Sequence, residues 1–183
     1  VEKTSVIECI DADSIYDVPV LMMKEGLDKE VLRKTNTQYE GEADIENWKQ
    51  FLQRLHNPKH EITVALVGKY VELKDAYKSI REALIHGGVA NETKVHIKSI
   101  HSEEITRENA KDILAGVDGI LVAPGFGSRG VEGKINAVEY ARVNNIPFMG
   151  ICLGMQCAVI EFARNVLGYT DAHSREMDVD TKH

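Results

Sequence analysis

Cysteine, aromatic residues and positive charge are all scarce in this sequence. Its three cysteines, Cys9, Cys152 and Cys157, are too few and too scattered for a disulfide framework or a zinc site. We therefore expect reduced thiols, a cytoplasmic protein and no metal site. Acidic residues outnumber Lys and Arg by 29 to 22, giving a formal net charge of −7. That balance argues against a surface that binds nucleic acid.

Long apolar runs are also missing. No run approaches the roughly 18 residues that a membrane-spanning helix needs, so we expect no membrane partner. With 43% apolar and 28% charged residues, the composition is that of an ordinary globular protein. The sequence starts at Val1 without a methionine and ends in a polar stretch. We interpret it as a piece of something longer.

The N-terminal part predicts a helical extension in two sections. Residues 1–34 are interpreted as the end of a preceding domain, with a short strand at 5–10 and two short helices separated by Gly26. Residues 35–60 are interpreted as a linker carrying an amphipathic helix, for which Asp44 is the N-cap. Trp48 and Phe51 of that helix either pack on their own neighbouring domain or form a docking stripe for a partner.

From residue 61 onward, apolar strand patterns alternate with helical ones. Strands are predicted at 62–67, 95–100, 117–122 and 145–149, and helices at 75–86, 106–115, 131–143 and 153–167. This alternation predicts an α/β fold with a doubly wound, mostly parallel sheet and helices on both faces. Ligands of such sheets bind at the carboxyl ends of the strands.

A short stretch after the fourth strand carries the strongest chemical signal. Gly150-Ile151-Cys152-Leu153-Gly154 has the spacing of a nucleophile elbow, where a strand turns sharply into a helix. Such a corner stores about 1–3 kcal/mol of backbone strain. It also places the thiol at a helix N-terminus, which favours the thiolate. The alternative is that Cys152 is a small residue of the core.

A second glycine-rich loop, residues 123–130, follows the third strand. Gly125 to Gly130 matches G-x-G-x-x-G, but the dinucleotide fingerprint belongs to the first strand–helix turn of a fold and needs a later acidic residue. We therefore rank an NAD-binding oxidoreductase last. The Gly125–Gly127 turn is better suited to donate backbone N–H groups to an oxyanion at Cys152, together with the N–H of Leu153.

Together these stretches resemble the class I (triad) glutamine amidotransferases and, more narrowly, the CTP synthase family. Residues 64–79, 125–134, 150–156 and 164–168 carry the likeness, and residues 13–19 resemble the end of that family's synthetase domain. The sequence GKYVELKDAY, which begins at position 68, is the most specific of these motifs. The resemblance implies a flavodoxin-like domain over residues 61–183, incomplete in this chain.

The resemblance also implies an activity. The family is a carbon–nitrogen ligase of pyrimidine biosynthesis that hydrolyses glutamine and passes the ammonia to UTP, which ATP has phosphorylated, to make CTP. It uses Mg²⁺, is activated by GTP and forms homotetramers through the synthetase domain. Because the nucleotide sites belong to that domain, no cofactor-binding residue is expected in this sequence.

Residue roles follow from the same resemblance, position by position. Cys152 would be the nucleophile, with the N–H groups of Leu153 and Gly125 as oxyanion donors. Leu153 and Gly125 would also bind the substrate glutamine, together with Gln156 and Glu176. Gln156 lies one helical turn beyond Cys152 on the same face, which suits that role.

Other positions have an open or weaker interpretation. Lys78 falls where the family has a lysine near the junction of its two domains. Arg129 either holds a substrate carboxylate or braces the glycine-rich loop. The family's Pro-Gly-Gly-Phe-Gly reads Ala123-Pro124-Gly125-Phe126-Gly127 here.

The family's general base is a His two residues before a Glu in the second half of the domain. No such pair occurs in that context here, and the seven histidines are interpreted as ordinary solvated or capping residues. We therefore expect this chain alone to be inactive, since nothing protonates the leaving ammonia. Two alternatives stay open: the glutaminase domain of another amidotransferase, and a non-catalytic binding or assembly module.

Overall fold

The computed structural model describes residues 1–39, 41–73 and 75–183. Two predicted features each include one position outside these ranges: Glu40 in the 35–60 linker and Lys74 in the 64–79 motif. The chain divides into two compact units, Val1–Asn57 and Pro58–His183, and each is described by itself. No helix of the described ranges is both long enough and apolar enough to cross a membrane.

The first unit is helical. Its helices are α1 (Val18–Lys24), α2 (Leu27–Lys34) and α3 (Glu46–His56). Gly26 separates the first two with a φ of 79°, as predicted. The rings of Trp48 and Phe51 stack 5.3 Å apart, and both also pack on Tyr16. Trp48 Nε1 donates a hydrogen bond to the Tyr16 carbonyl oxygen at 2.9 Å, so both rings pack within this unit.

Two details of the first unit differ from the prediction. The strand expected at 5–10 is wrong: Lys3–Ser5 forms a single 3-10 turn, and residues 6–10 pair with no strand in the described chain. A short apolar run does not form a strand when no other strand lies beside it to pair with its backbone N–H and C=O groups. Helix α3 begins at Glu46, and Asp44 Oδ1 accepts its N–H at 3.1 Å, so the capping carboxylate lies one residue before the N-cap Ile45.

The second unit alternates strands and helices. In chain order these are β1 (His60–Gly68), α4 (Lys78–Ala90), β2 (Thr93–His101), α5 (Ala110–Ile113), β3 (Gly119–Val122), α6 (Val131–Val143), β4 (Phe148–Gly150) and α7 (Leu153–Asn165). The four strands form one sheet in the order β2-β1-β3-β4, and every neighbouring pair is parallel. The predicted α/β fold with a parallel, doubly wound sheet is confirmed.

The central strand β1 is buried on both faces. Ala65 and Val67 belong to one apolar cluster, with residues of α6 and α7, while Val64 and Leu66 belong to another that includes residues of α4. The continuous apolar run is explained by this double coverage. Strand β2 lies at the sheet edge and alternates in exposure, as its sequence predicted.

Three helices have bounds that differ from the prediction, and the smallest difference is in α7, which ends at Asn165 and not at 167. Helix α4 starts at Lys78 and continues past both glycines that were expected to end it. A Cβ on Gly88 would lie only 2.4 Å from the Thr93 carbonyl oxygen, so this glycine serves close packing against β2. Helix α5 is short because Thr106 and Asn109 exchange side chain–backbone hydrogen bonds in the turn that precedes it.

Candidate active site

The cysteine elbow (residues 150–154) and the glycine loop (residues 123–130) leave the same edge of the sheet. Strands β3 and β4 are neighbours, and Val122 pairs with Gly150 at their ends. Strand β1 ends beside β3, where Val67 pairs with Val122. The carboxyl ends of three strands therefore meet at this edge, where ligands bind in such sheets.

The elbow has the geometry that its spacing predicts. Cys152 has φ 53° and ψ −107°, a conformation that L-residues rarely adopt, and α7 begins at the next residue. A Cβ on Gly150 would lie 2.5 Å from the Gly154 carbonyl carbon, and a Cβ on Gly154 would lie 2.2 Å from the Val122 oxygen. Both positions therefore require glycine. Cys152 is exposed, so the interpretation as a core residue does not fit.

Open backbone donors lie on both loops. In the part of the chain that the structure describes, the N–H groups of Gly125, Phe126, Gly127 and Leu153 have no backbone acceptor. A Cβ on Gly125 would lie 3.6 Å from Leu153 Cδ2, so the glycine loop and the start of α7 are in direct contact. Two loops with open donors beside an exposed thiol are suited to hold an oxyanion.

Two lysines are buried around the glycine loop. Lys69, just after β1, donates from Nζ to the carbonyl oxygens of Phe126 and Gly127, the latter at 3.1 Å. Lys134, in α6, donates from Nζ to the Ala123 carbonyl oxygen at 2.8 Å. The pKa of Lys134 is lowered to about 8, chiefly by burial; Cys157 and Cys152 act to raise it, and the nearby Lys69 ammonium acts to lower it. The sequence assigned no role to either lysine, because a lysine side chain is normally expected to be exposed to solvent.

Gln156 is close to the elbow, whereas Glu176 is in a different segment. Gln156 Oε1 is buried and has no hydrogen-bond partner among the described residues. Glu176 is exposed in a turn, and its N–H donates to Ser174 Oγ at 3.3 Å. The neighbouring Met177 packs against the cluster that contains Leu153. Among the described residues, no hydrogen bond or ion pair joins Glu176 to the elbow, so its role stays a prediction.

Arg129 is engaged by the protein itself. Its guanidinium donates to Glu103 Oε1 at 2.7 Å and lies 5.4 Å from the centre of the Tyr70 ring. These contacts agree with the bracing interpretation. Lys78, the first residue of α4, is exposed, and its position near a domain junction stays a prediction.

A literal His-x-Glu spacing does occur, at His101 and Glu103, and sequence reasoning did not weigh it. His101 ends β2, and its Nδ1 accepts the Glu103 N–H at 3.3 Å. Three strand spacings separate β2 from β4, about 14 Å, which places this histidine too far from Cys152 to serve as its base. Within the described ranges, no group of three His, Cys, Asp or Glu residues is placed to hold a metal ion.

Comparison with known proteins identifies the family. Residues 72–183 match the family described as "Glutamine amidotransferase class-I". The chain belongs to this family. It is 60% identical over its whole length to a CTP synthase of Flavobacterium psychrophilum and 64% identical over 181 residues to one of Cytophaga hutchinsonii. A CTP synthase of Methanocaldococcus jannaschii is 56% identical over the whole chain.

The chain spans about a third of the length of these curated relatives: 34%, 34% and 35%, respectively. A solved structure described as "Trypanosoma brucei CTPS - glutaminase domain with bound acivicin" is also similar. It has 43% sequence identity and a TM-score of 0.63, covering 67% of this chain and 48% of that one. The resemblance drawn from the motifs, and the fold that it implied, are confirmed.

Proposed function

We propose that this class-I amidotransferase chain is the glutamine-hydrolysing part of a CTP synthase, with Cys152 as its nucleophile. The observation that carries the proposal is the elbow itself. Cys152 has an exposed thiol and a strained backbone with a positive φ. The elbow that carries it and the neighbouring glycine loop both have N–H groups without a backbone acceptor among the described residues. The identities of 56–64% to CTP synthases over nearly the whole chain favour this family over other amidotransferases.

In the proposed reaction, the Cys152 thiolate attacks the side-chain amide carbon of glutamine. The C=O electrons move to oxygen, and the oxyanion is held by the N–H groups of Leu153 and Gly125. The tetrahedral intermediate then expels ammonia, whose nitrogen takes up a proton, and leaves a cysteine thioester. Water attacks the thioester, so that glutamate and the free thiol are released.

Gln156 and Glu176 are proposed to hold the amino-acid end of the substrate. The Gln156 Oε1 atom is buried and unpartnered, so it has a free lone pair for a substrate N–H. A carboxylate is the natural partner of the substrate's α-ammonium group, and Glu176 is exposed and available for that pairing.

The activity of a whole CTP synthase is a further part of the proposal. Ammonia released at Cys152 would aminate UTP with ATP and Mg²⁺, in a cytoplasmic enzyme that GTP activates and that assembles as a homotetramer. The family likeness assigns the ATP and Mg²⁺ sites to a synthetase domain. Residues 1–34 are proposed as the end of that domain.

Acivicin, a glutamine-mimicking electrophile, tests the proposal on this chain without requiring turnover. The Cys152 sulfur would form a bond to the electrophilic carbon, the carbon–chlorine bond would break, and chloride would leave. Peptide mapping by mass spectrometry should locate one adduct at Cys152, and millimolar glutamine should slow its formation. Iodoacetamide, which does not mimic glutamine, should modify the exposed Cys9 as well.

The outcomes separate the open alternatives. Labelling of Cys152 that glutamine does not slow, or no labelling at all, would favour a binding or assembly module. Glutamate production by the chain alone should stay near background, because the sequence lacks the family's His-x-Glu pair in the expected context, and that histidine would return the proton. Substantial glutamate production that Cys152→Ala abolishes would show that the catalytic set is complete.

A further inference from the structure

The glycine loop is held by two buried side chains that the reaction above does not use. Lys69 is 4% exposed and Lys134 is fully buried. Among the ion pairs of the described residues, neither lysine has a carboxylate partner. Burying an ammonium without a counter-charge is costly, and an apolar side chain of similar volume would avoid that cost. The presence of two buried ammonium groups around one loop therefore needs a functional explanation.

Lys69 fixes one end of the loop. It binds the carbonyl oxygens of Phe126 and Gly127. In a planar trans peptide the C=O and the following N–H point in opposite directions. The N–H groups of Gly127 and Ser128 are therefore turned away from the Lys69 ammonium and stay open, without a backbone acceptor in the described chain.

Lys134 fixes the other end. Its Nζ binds the carbonyl oxygen of Ala123, whose peptide group continues into Pro124 and so contains no N–H. This bond therefore anchors the loop without occupying a donor. The same Nζ would lie 3.7 Å from a Cβ on Gly125, directly beside the predicted oxyanion donor. Glycine-rich backbone is easily reoriented, so two anchors are needed to keep one loop conformation.

We propose that Lys69 and Lys134 form a lysine clamp, a pair of positioning residues that hold the glycine loop so that its N–H groups meet the oxyanion formed at Cys152. This inference rests on the proposed glutamine hydrolysis and extends it to two residues outside the reacting set. The clamp acts through the loop carbonyls, and neither lysine touches the substrate. Its loss therefore impairs reactions that build negative charge on the attacked group and spares those that do not.

Two electrophiles separate these effects in the 183-residue chain. Acivicin builds negative charge on its ring as the thiolate attacks, whereas iodoacetamide reacts by direct displacement at a saturated carbon. Second-order labelling constants at Cys152 would be measured by mass spectrometry, across pH, for Lys69→Met and Lys134→Met. Lys98→Met is the matched control, since Lys98 Nζ also donates to a backbone carbonyl, that of Ile113 at 2.7 Å, on the exposed edge strand β2.

The clamp predicts that each Met variant loses at least about 10-fold in the acivicin constant, since loss of one oxyanion donor typically costs about 10²–10³. The iodoacetamide constant at Cys152 should change less than twofold, and Lys98→Met should match the wild type with both reagents. Lys69→Arg, which keeps a charged donor, should recover most of the loss. An unchanged acivicin constant, or an equal fall with both reagents together with a shifted pH profile, would overturn loop positioning.

Hydrogen exchange of the 123–131 segment gives a readout that does not depend on the proposed reaction. If acivicin fails to label the wild type, the glutamine proposal fails, and the clamp is then judged by exchange alone. The hydrogen-bonded amides at the two ends of the loop, Ala123 (to Val67 O at 2.9 Å) and Val131 (to Ser128 O at 3.2 Å), should exchange at least several-fold faster in both Met variants than in Lys98→Met. Equal exchange would overturn the clamp. If a Met variant does not fold, Lys134→Gln or Lys69→Gln replaces it in the same measurement.

Discussion

Helix α7 carries two cysteines little more than one turn apart, in opposite surroundings. Cys152, at its N-cap, is exposed and has a positive φ. Cys157 lies inside the helix and is fully buried in the apolar cluster between the sheet and α6. Burial, the dominant cause, raises the pKa of Cys157 to about 11, although Lys134 opposes the shift. The chemistry of a thiol in this molecule is thus set by its place on the helix.

Replacing each cysteine in turn should give the largest contrast. Cys152→Ala should abolish labelling by acivicin, because no other thiol lies at the elbow. Cys157→Ala should leave the labelling constant within about twofold and cost on the order of 1 kcal/mol in the free energy of unfolding, through the small cavity it creates. Peptide mapping and urea denaturation measure the two effects. An acivicin adduct on Cys157 in the folded chain would remove the distinction between the two sites.

The elbow that distinguishes Cys152 depends on a glycine that Cys157 does not need. Gly154→Ala would place a Cβ 2.2 Å from the Val122 carbonyl oxygen. Because backbone must then move, we expect a loss of about 3 kcal/mol in the free energy of unfolding and a slower acivicin reaction. Gly87→Ala is the matched control in α4, where a Cβ meets nothing within 4 Å. It should stabilise by up to about 1 kcal/mol. Equal effects of the two substitutions, by urea denaturation, would contradict the close approach.

The smallest expected effect concerns Lys134, which interacts with both cysteines. Its pKa is lowered from 10.5 to about 8 in the folded chain, so the unfolded chain binds more protons between these values. The stability of the wild type should therefore rise with pH above 8. Lys134→Met lacks this titration, and its stability relative to the wild type should fall by about 1 kcal/mol between pH 7 and pH 9.

The window for that measurement ends at pH 9 for a reason. Above its ordinary value of 9.0, the raised pKa of Cys157 makes the wild type lose stability as the pH rises toward 11. Paired urea denaturations at pH 7 and pH 9 therefore isolate the lysine. A constant difference between wild type and Lys134→Met across that range would show that the buried amine does not titrate as described.

The sequence pattern predicted those helices and strands whose positions depend on residues close to one another in the sequence. The continuous apolar run of β1 indicated a strand buried on both faces, and the bounds of α6 were predicted to the residue. The strand at 5–10 failed because a strand depends on a partner elsewhere in the chain. The early stop of α4 failed because the role of Gly88 lies in its contact with Thr93, which no local pattern contains.

The site divides in the same way. Cys152 follows from elbow spacing, since the two flanking glycines, Gly150 and Gly154, each lie only two positions from it in the sequence. The burial of Lys69 and Lys134 arises from tertiary packing around a loop more than 50 positions from Lys69. The place of Glu176 came from family likeness alone, and the structure leaves it as a prediction.

Salt bridges between side chains connect α6, which follows the glycine loop, with α7, which follows the elbow. Arg142 of α6 donates to both carboxylate oxygens of Glu161 in α7, whose side chain is 1% exposed, and Arg164 of α7 pairs with Glu132 at the start of α6. Because α6 begins where the glycine loop ends and α7 begins at the elbow, the salt bridges between the helices also fix the distance between the two loops. Removing these salt bridges, which lie away from the Cys152 sulfur, should therefore disturb the relative positions of the two loops.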